Sequence, residues 1–371
     1  MKELGIYIHI PFCNSKCAYC DFASGVYGDS VKREYFGRLK EDISAFDFSG
    51  STAVSVYFGG GTPSSVDPSY ITDTLGALRR RIPLSDDAEI TVECNPESFD
   101  EEKAKAYSAA GVNRLSFGLQ SGNDLLLRRI GRRHTLSDFL RALDVARRYF
   151  DNLSADIMLG LPEQTLNDVK NTTNMLAEEG LPHVSAYSLK VEKGTRLWRD
   201  GYMPDDDLCA DMYDAVHEIL NAAKLMRYEV SNFARKGKES RHNMIYWKRG
   251  EYVGFGAAAH SFFRDTRVEN PRSVRDYIAG TYTPIKHYIP PHGNEAAEET
   301  IMLALRTSEG LDVKAYDHTF GRDFVNDNAR ELKLLTDNGF TELSGGRLRL
   351  TDKGFYVMND IIVRLLGDPN R

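Results

Sequence analysis

Apolar positions fall into two alternating textures along the first half of the chain. Short β-rich runs occur at Gly5–Pro11, Val54–Gly61, Glu89–Pro96, Arg114–Ser121, Leu153–Pro162 and Val184–Glu192. Between them apolar residues recur at three- and four-residue steps, as in Tyr35, Phe36, Leu39, Ile43 and Phe46, or Phe139, Leu140, Leu143 and Ala146. The runs predict strands and the stepped segments predict amphipathic helices. Six strands, each followed by a helix, form repeated βα units, which force parallel strands with right-handed crossovers. The expected α/β fold is a partial (β/α)6-type, TIM-like barrel, with a doubly wound open sheet as the alternative. Several strands end in polar or glycine-rich residues: Gly59-Gly60-Gly61-Thr62, Glu93, Gln120-Ser121 and Asp156. Parallel sheets place their sites at these carboxyl ends.

The second half changes texture twice. Residues 228–292 read as a less regular connecting region after a barrel over 1–227. From about Glu295 helical stretches return, and Phe340–Leu350 reads as a hairpin around Gly345-Gly346. Helices followed by a two-stranded wing predict a small winged-helix-like domain over 293–371. That shape often serves DNA binding, but this segment holds 10 Lys and Arg against 14 Asp and Glu. A DNA reader needs cationic charge against phosphate, so no nucleic-acid partner is expected.

Charge and composition narrow the picture further. The chain has 371 residues, 42% of them hydrophobic, and a net charge of −7. No run approaches the ~18 apolar residues of a membrane span. Met1–Pro11 lacks the long apolar stretch and cleavage site of a secretory signal, so a cytoplasmic location is expected. Five cysteines do not make a disulfide framework in so long a chain. Three of them, Cys13, Cys17 and Cys20, lie on one short loop directly after the first run. Soft thiolates so placed suit three corners of an iron–sulfur cluster. The alternative is zinc, completed by His9 or Cys94, although zinc sites usually carry a second close cysteine pair.

The stretch Tyr7-Ile8-His9-Ile10-Pro11-Phe12-Cys13-Asn14-Ser15-Lys16-Cys17-Ala18-Tyr19-Cys20-Asp21-Phe22 resembles the signature of radical S-adenosylmethionine (radical SAM) enzymes. Within them the chain resembles the oxygen-independent coproporphyrinogen III oxidase group over nearly its whole length. It is most similar to the HemW-type haem chaperones. The resemblance implies a 4Fe-4S cluster on Cys13, Cys17 and Cys20, with SAM at the open iron. It assigns Gly60, Gly61 and Thr62 to the methionine amino group. Glu93, Gln120 and Asp156 are assigned to the ribose hydroxyls and the methionine end. Arg132, twelve residues after Gln120, takes the cofactor carboxylate, and Tyr7 and Tyr19 flank the cluster or the adenine. Read singly, each carboxylate is equally a helix cap or a solvated strand end, each tyrosine is equally core packing, and Arg128, Arg129 and Arg133 compete with Arg132.

Two departures separate the chain from the oxidases. Phe22 stands where they carry a further cysteine, and only twelve residues precede Cys13. Both favour the chaperone branch, as does His242-Asn243-Met244-Ile245-Tyr246-Trp247, which resembles a hallmark of that branch. His242 is the candidate haem ligand, with Tyr246 and Trp247 against the ring; a hydrogen-bonded structural histidine is the alternative. His260, after an Ala-rich run, is expected to be a satisfied core histidine. The function expected is binding of haem and its delivery to haem-requiring proteins, with an electron donor for the cluster. Oxidative decarboxylation of coproporphyrinogen III is the alternative, and a regulatory winged-helix protein is a third.

Overall fold

The computed structural model describes residues 1–367. All six expected strands are present: β1 (Lys2–Ile10), β2 (Ser51–Gly60), β3 (Leu84–Cys94), β4 (Arg114–Gln120), β5 (Leu153–Leu159) and β6 (His183–Ser188). They pair in sequence order and in parallel. Helices cross between them, among them Asp29–Ala45, Leu136–Arg147 and Leu166–Glu178. The last two open on capping boxes, Thr135 with Asp138 and Thr165 with Asp168. Each box satisfies two of the backbone donors that a helix start leaves free.

The connecting region is more ordered than its sequence texture indicates. β7 (Met226–Arg227) and β8 (Asn232–Ala234) form a hairpin that pairs antiparallel with β6. β9 (Tyr252–Phe255) joins the outer side of β1 in parallel, and β10 (His260–Phe263), β11 (Thr266–Glu269) and β12 (Ile285–Tyr288) extend that side as antiparallel strands. The result is one open sheet of twelve strands, ordered β12-β11-β10-β9-β1-β2-β3-β4-β5-β6-β8-β7.

One apolar core lies between the strands and the crossover helices, with Ile6, Ile8, Val56, Phe58, Leu115 and Phe117 fully buried from the strand side. Alternate residues of the same strands face the other way and are polar. Arg114, Ser116 and Gln120 alternate with Leu115, Phe117 and Leu119, and Ser154 and Asp156 alternate with Ala155 and Ile157. An ordinary (β/α) barrel fills that inner face with branched aliphatic side chains. Here it encloses a polar well.

The C-terminal segment has its own apolar core, from Ala297 to Leu365. Its wing is β14 (Thr341–Ser344) and β15 (Arg347–Leu350), preceded by β13 (Leu311–Asp312) on the same small sheet. Gly345 and Gly346 both have positive φ, as the tight two-residue hairpin turn requires. Glu299 ties this segment to the large sheet through Arg249 at 2.8 Å and Arg267 at 2.8 Å.

Candidate functional site

The loop after β1 carries the three cysteines and is held shut at both ends. Cys13 N–H donates to the Gly25 carbonyl and Gly25 N–H to the Pro11 carbonyl, both at 2.9 Å. Lys16 lies across the loop, its Nζ donating to the carbonyls of Phe22 (2.7 Å) and Ser24 (3.2 Å). Ala18 N–H reaches the Ile130 carbonyl at 2.8 Å, docking the loop beside the segment that bears Arg132. The three thiols are free, half-buried, and line one cavity of about 560 Å³. Two of them meet donors: Thr62 Oγ1 stands 3.5 Å from Cys13 Sγ and Arg132 Nη1 3.8 Å from Cys17 Sγ. Burial pushes the Cys13 thiol up.

Gly60, Gly61, Thr62, Glu93, Gln120, Arg132, Asp156 and Tyr19 line the same cavity. Sequence reasoning assembled this set from β2 to β5, the cysteine loop and the segment after β4, and the fold brings it to one place. Gly60 has φ 111°, and a side chain there would run into the His9 ring. A Cβ on Gly61 would lie 2.8 Å from the carbonyl oxygens of Ile10 and Phe12. These glycines bring backbone against the cavity at a place closed to any larger residue. Glu93 Oε1 accepts from Tyr57 O–H at 2.8 Å and Oε2 from Gly60 N–H at 3.1 Å. Burial nonetheless raises its carboxyl to about 7, and burial raises Asp156 as well. Asp156 Oδ1 accepts from Ser116 Oγ at 3.2 Å. Gln120 has φ 70°, at a bulge between β4 and β5. Such strain in a residue other than glycine clusters at ligand sites.

Arg132 and Arg133 both line the cavity, and it is Arg132 that reaches the Cys17 sulfur. Its Nη2 donates to Asn95 Oδ1 at 2.8 Å and to the Gly118 carbonyl, while its Nε is buried without a partner. Asn95 and Lys16 were not anticipated from sequence. Neither carries a motif signal, since their roles depend on what the fold sets opposite them. Tyr7 stands one cavity away. Its hydroxyl pairs with His9 Nδ1 at 3.0 Å, and its ring stacks on Tyr57.

The zinc alternative finds no support in the geometry. His9 Nε2 donates to the Ala23 carbonyl at 2.9 Å and its other nitrogen faces Tyr7, so neither is free. Cys94 is buried, its Sγ 3.8 Å from the Val92 carbonyl. Among the described residues no three His, Cys, Asp or Glu converge on a single ion. Three thiols spread around a cavity, beside a cradle of glycine backbone, fit a cluster with one open corner and a small polar ligand on it.

The hallmark stretch forms the helix Arg241–Trp247, and its histidine is not where the sequence placed it. His242 is 1% exposed. Its Nδ1 pairs with Ser55 Oγ at 2.8 Å and its Nε2 with Tyr246 O–H at 2.6 Å. Its ring stacks on Tyr57 at 5.0 Å. Burial draws its pKa down to about 3. No nitrogen is left for iron, so the assignment of His242 as haem ligand is corrected: it is a core histidine. The helix start is clamped by Glu89, whose carboxylate accepts from the backbone N–H of Arg241 and of His242, each at 3.1 Å. Glu89 was missed as a functional anchor; a buried charge inside a strand run was the available signal. Trp247 is half-buried at the helix end.

His260 is corrected in the opposite direction. It is exposed, and its side chain makes no hydrogen bond among the described residues. It lines a second cavity, of about 400 Å³, with Tyr7, Phe22, Tyr246, Tyr252 and Arg272. That cavity shares Asp21, Phe22, Gly60 and Glu93 with the first.

A profile of the radical SAM superfamily matches residues 7–176, and one of the HemN C-terminal domain matches residues 292–357. The heme chaperone HemW of Bacillus subtilis (strain 168) is 35% identical over 374 residues, covering 98% of this chain and 99% of that protein. The chain belongs to the HemW family of radical SAM proteins. The mitochondrial radical S-adenosyl methionine domain-containing protein 1 of Bos taurus is 34% identical, over 99% of this chain and 88% of that protein. The HemW of Escherichia coli (strain K12) is 35% identical over 76% of this chain and 77% of its own. The coproporphyrinogen III oxidase HemN of Escherichia coli shares the fold, with a TM-score of 0.86 at 22% identity, covering 99% of this chain and 90% of HemN. Membership implies a 4Fe-4S cluster and SAM as cofactors.

Proposed function

We propose that the protein is a haem chaperone: it binds haem beside its cluster loop and hands it to haem-requiring proteins. The observation that carries this reading is the second cavity. His260 offers a free imidazole there, a common iron ligand. Phe22 is 66% exposed and stands with Tyr246 and Tyr252 where a flat aromatic ligand would pack. Arg272 adds a cation suited to a propionate. Its own carboxylate partner is Asp21, at 3.5 Å. Tyr246 thus keeps a place at the haem, with His242 holding it from behind. Names carried by the relatives point the same way.

Within this reading Cys13, Cys17 and Cys20 hold the cluster. SAM lies along Gly60, Gly61, Thr62, Glu93, Gln120, Arg132 and Asp156, with Tyr19 beside the loop and Tyr7 in the wall behind Gly60. When bound, the pair supplies reductive cleavage of the sulfonium C–S bond, which needs an outside electron donor. Arg132 screens the thiolate of Cys17, and Glu93 sets the Gly60 backbone against the ligand. No described helix is long and apolar enough to cross a membrane, consistent with work in the cytoplasm. We divide the chain into a barrel (1–227), a connecting unit (228–292) and a C-terminal unit (293–371). The separate apolar core of the last supports its boundary.

Anaerobically reconstituted protein titrated with haem should give a saturable Soret change. His260→Ala should weaken it about tenfold or more, the scale of losing one strong ligand contact. His242→Ala should leave haem affinity in place wherever the variant is folded. No haem binding by the wild-type protein, or turnover of coproporphyrinogen III with loss of two carboxyl groups, would overturn the reading.

A further inference from the structure

Two segments flank the outer side of the cysteine loop, and both are basic. Residues 124–133 and 189–203 together hold eight Lys and Arg against three Asp and Glu, in a chain whose net charge is −7. The first runs through the helix Asp124–Arg129 to Arg133, and the second carries the short helix Arg196–Arg199. Arg128, Arg129 and Arg133, which compete with Arg132 in the sequence, are all exposed, as are Lys190, Lys193, Arg196 and Arg199. Arg129 pairs with Glu163, Lys190 with Glu192 at 2.7 Å and Arg196 with Asp200 at 3.9 Å. Arg128, Arg133, Lys193 and Arg199 meet no carboxylate among the described residues.

Large apolar side chains stand among these cations. Leu125 lies one turn before Arg128 and Arg129 on the same helix face. Trp198 is on the short helix and Met203 just beyond it, and all three side chains are exposed. A single exposed apolar residue needs no explanation, but several within a charged rim mark a contact surface for another macromolecule. Trp, Met and Arg are the residues that such surfaces favour.

The patch is bonded to the cysteine loop itself. Ala18, between Cys17 and Cys20, donates its N–H to the Ile130 carbonyl at 2.8 Å and accepts from Leu197 N–H at 3.1 Å. Arg196 Nη2 ties the two segments together at the Arg129 carbonyl, 2.6 Å away. Ala18, Leu126, Ile130 and Leu197 share one small apolar cluster. Gly131 packs on the Cys17 backbone, where a Cβ added to it would lie 3.7 Å from Cys17 Cα. The patch thus touches the backbone that carries the Cys17 thiol. Asp21, Phe22 and Ala23, at the far end of the same loop, line the outer cavity instead. A partner seated on the patch leaves that cavity open.

We propose that this patch is the docking surface for a small acidic electron-carrier protein, which feeds the cluster from the Cys17 side of the loop. The proposal rests on the reading of Cys13, Cys17 and Cys20 as cluster ligands. Electron tunnelling falls off steeply with distance, so a carrier must bring its centre against the loop, and the inner side of the loop faces the cavity assigned to SAM. In each transfer the carrier's reduced centre loses one electron and the cluster gains it; no bond forms or breaks. Opposite charge steers the encounter and is screened by salt. A small surface with few apolar anchors suits a contact that must release after each electron. Glu163, Glu192 and Asp200 interrupt the cations, which favours a folded acidic protein over a phosphate polymer whose charge repeats without a break.

The test uses reconstituted full-length protein and follows reduction of its cluster by freeze-quench electron paramagnetic resonance. The probes are reduced flavodoxin and reduced plant-type ferredoxin, both acidic, with photoreduced deazariboflavin as a small reductant that needs no docking. At least one carrier should reduce the wild-type cluster at a second-order rate that falls about tenfold or more from low to physiological salt. Arg128→Glu combined with Arg199→Glu should lower that rate about tenfold or more and flatten its salt dependence. Trp198→Ala should lower it about fivefold or more. Lys236→Glu with Arg330→Glu makes the same change in net charge at exposed positions elsewhere, beside the start of β6 and in the C-terminal unit, and should keep the wild-type rate. Deazariboflavin should reduce all of them alike. Iron and sulfide content and the haem titration, measured on each variant, keep the cluster and haem readings separate from this one. Equal carrier rates in wild type and the Arg128, Arg199 variant, rates insensitive to salt, or reduction by deazariboflavin alone would overturn the proposal. So would saturable binding of short single-stranded DNA that the charge reversal abolishes. A wild-type protein that assembles no cluster would overturn the reading of the three cysteines, and the proposal with it.

Discussion

At the carboxyl ends of β3, β4 and β5, Glu93, Gln120 and Asp156 face an open cavity. Lower down, midway along β2 and β3, the paired Ser55 and Glu89 face a helix that uses them completely. Both places are polar, both are buried, and both contact the segment or motif that marks the family. The difference is whether hydrogen-bonding capacity is left over. At the lower place His242, Ser55, Tyr246 and Glu89 close on one another. At the upper end the strained Gln120, the half-satisfied Arg132 and the elevated carboxyls of Glu93 and Asp156 remain turned toward a volume that something else must fill. Spare capacity, more than residue type, separates a binding group from a structural one.

The sharpest way to break that comparison is at the cysteine loop. Replacing Cys13, Cys17 or Cys20 with Ala should remove most of the about four iron and four sulfide atoms of a 4Fe-4S cluster, by iron and sulfide analysis after anaerobic reconstitution. Cys94→Ala and Cys209→Ala should leave both intact. Stoichiometric zinc without sulfide would sink the assignment.

At the closed end the loss should be of stability. His242→Ala removes a buried ring with two hydrogen bonds and should cost about 2–5 kcal/mol in chemical unfolding, while the reconstituted cluster keeps its absorbance. The sign of its pH dependence follows from its depressed pKa. The unfolded histidine takes a proton near 6.5 and the folded one only near 3. Its contribution is therefore complete above pH 6.5 and is lost as pH falls toward 3, by about 1.4 kcal/mol per unit. The buried His183 and His9 give both proteins a slope of their own, so it is the stability gap between wild type and His242→Ala that should narrow at that rate as pH falls from 6.5 to 4. Parallel curves would place the titration elsewhere.

At the open end a single substitution should be felt by the ligand. Asp156→Ala should weaken SAM binding by about 1–3 kcal/mol with iron content unchanged. An unchanged Kd in calorimetry would give this carboxylate another task. Smallest of all, Thr135→Ala lies away from both ends and removes one half of a capping box. It should cost about 0.5–2 kcal/mol of stability and leave SAM affinity alone, a baseline against which the others are judged.

Legibility in the sequence followed the same divide. The six parallel strands stood out because each is buried on one face over many residues and is followed by a periodic helix. The cluster loop and the strand-end ring were readable because spacing and resemblance coincided. β9 to β12 were not, since four-residue strands such as Thr266–Glu269 and Ile285–Tyr288 lack the length to show alternation. His242 and His260 exchanged places for a related reason. Neutral imidazole serves equally as ligand or core donor, and only tertiary burial decides. Lys16 and Asn95 gave no sign at all, because nothing local to either residue records what the fold sets opposite it.

The clamp of Glu89 on the helix Arg241–Trp247 also has a consequence in time. The two partners are 153 residues apart, and at synthesis rates of about 5–20 residues per second that separation lasts roughly 8–30 s. During that interval the first strands have left the ribosome without the helix that completes their lower part. Glu89 and Ser55 must stay hydrated, and the sheet cannot close over them, until the hallmark segment emerges. The nascent chain therefore passes through a half-built sheet with an unfinished edge, the stage at which this protein most needs protection from its neighbours.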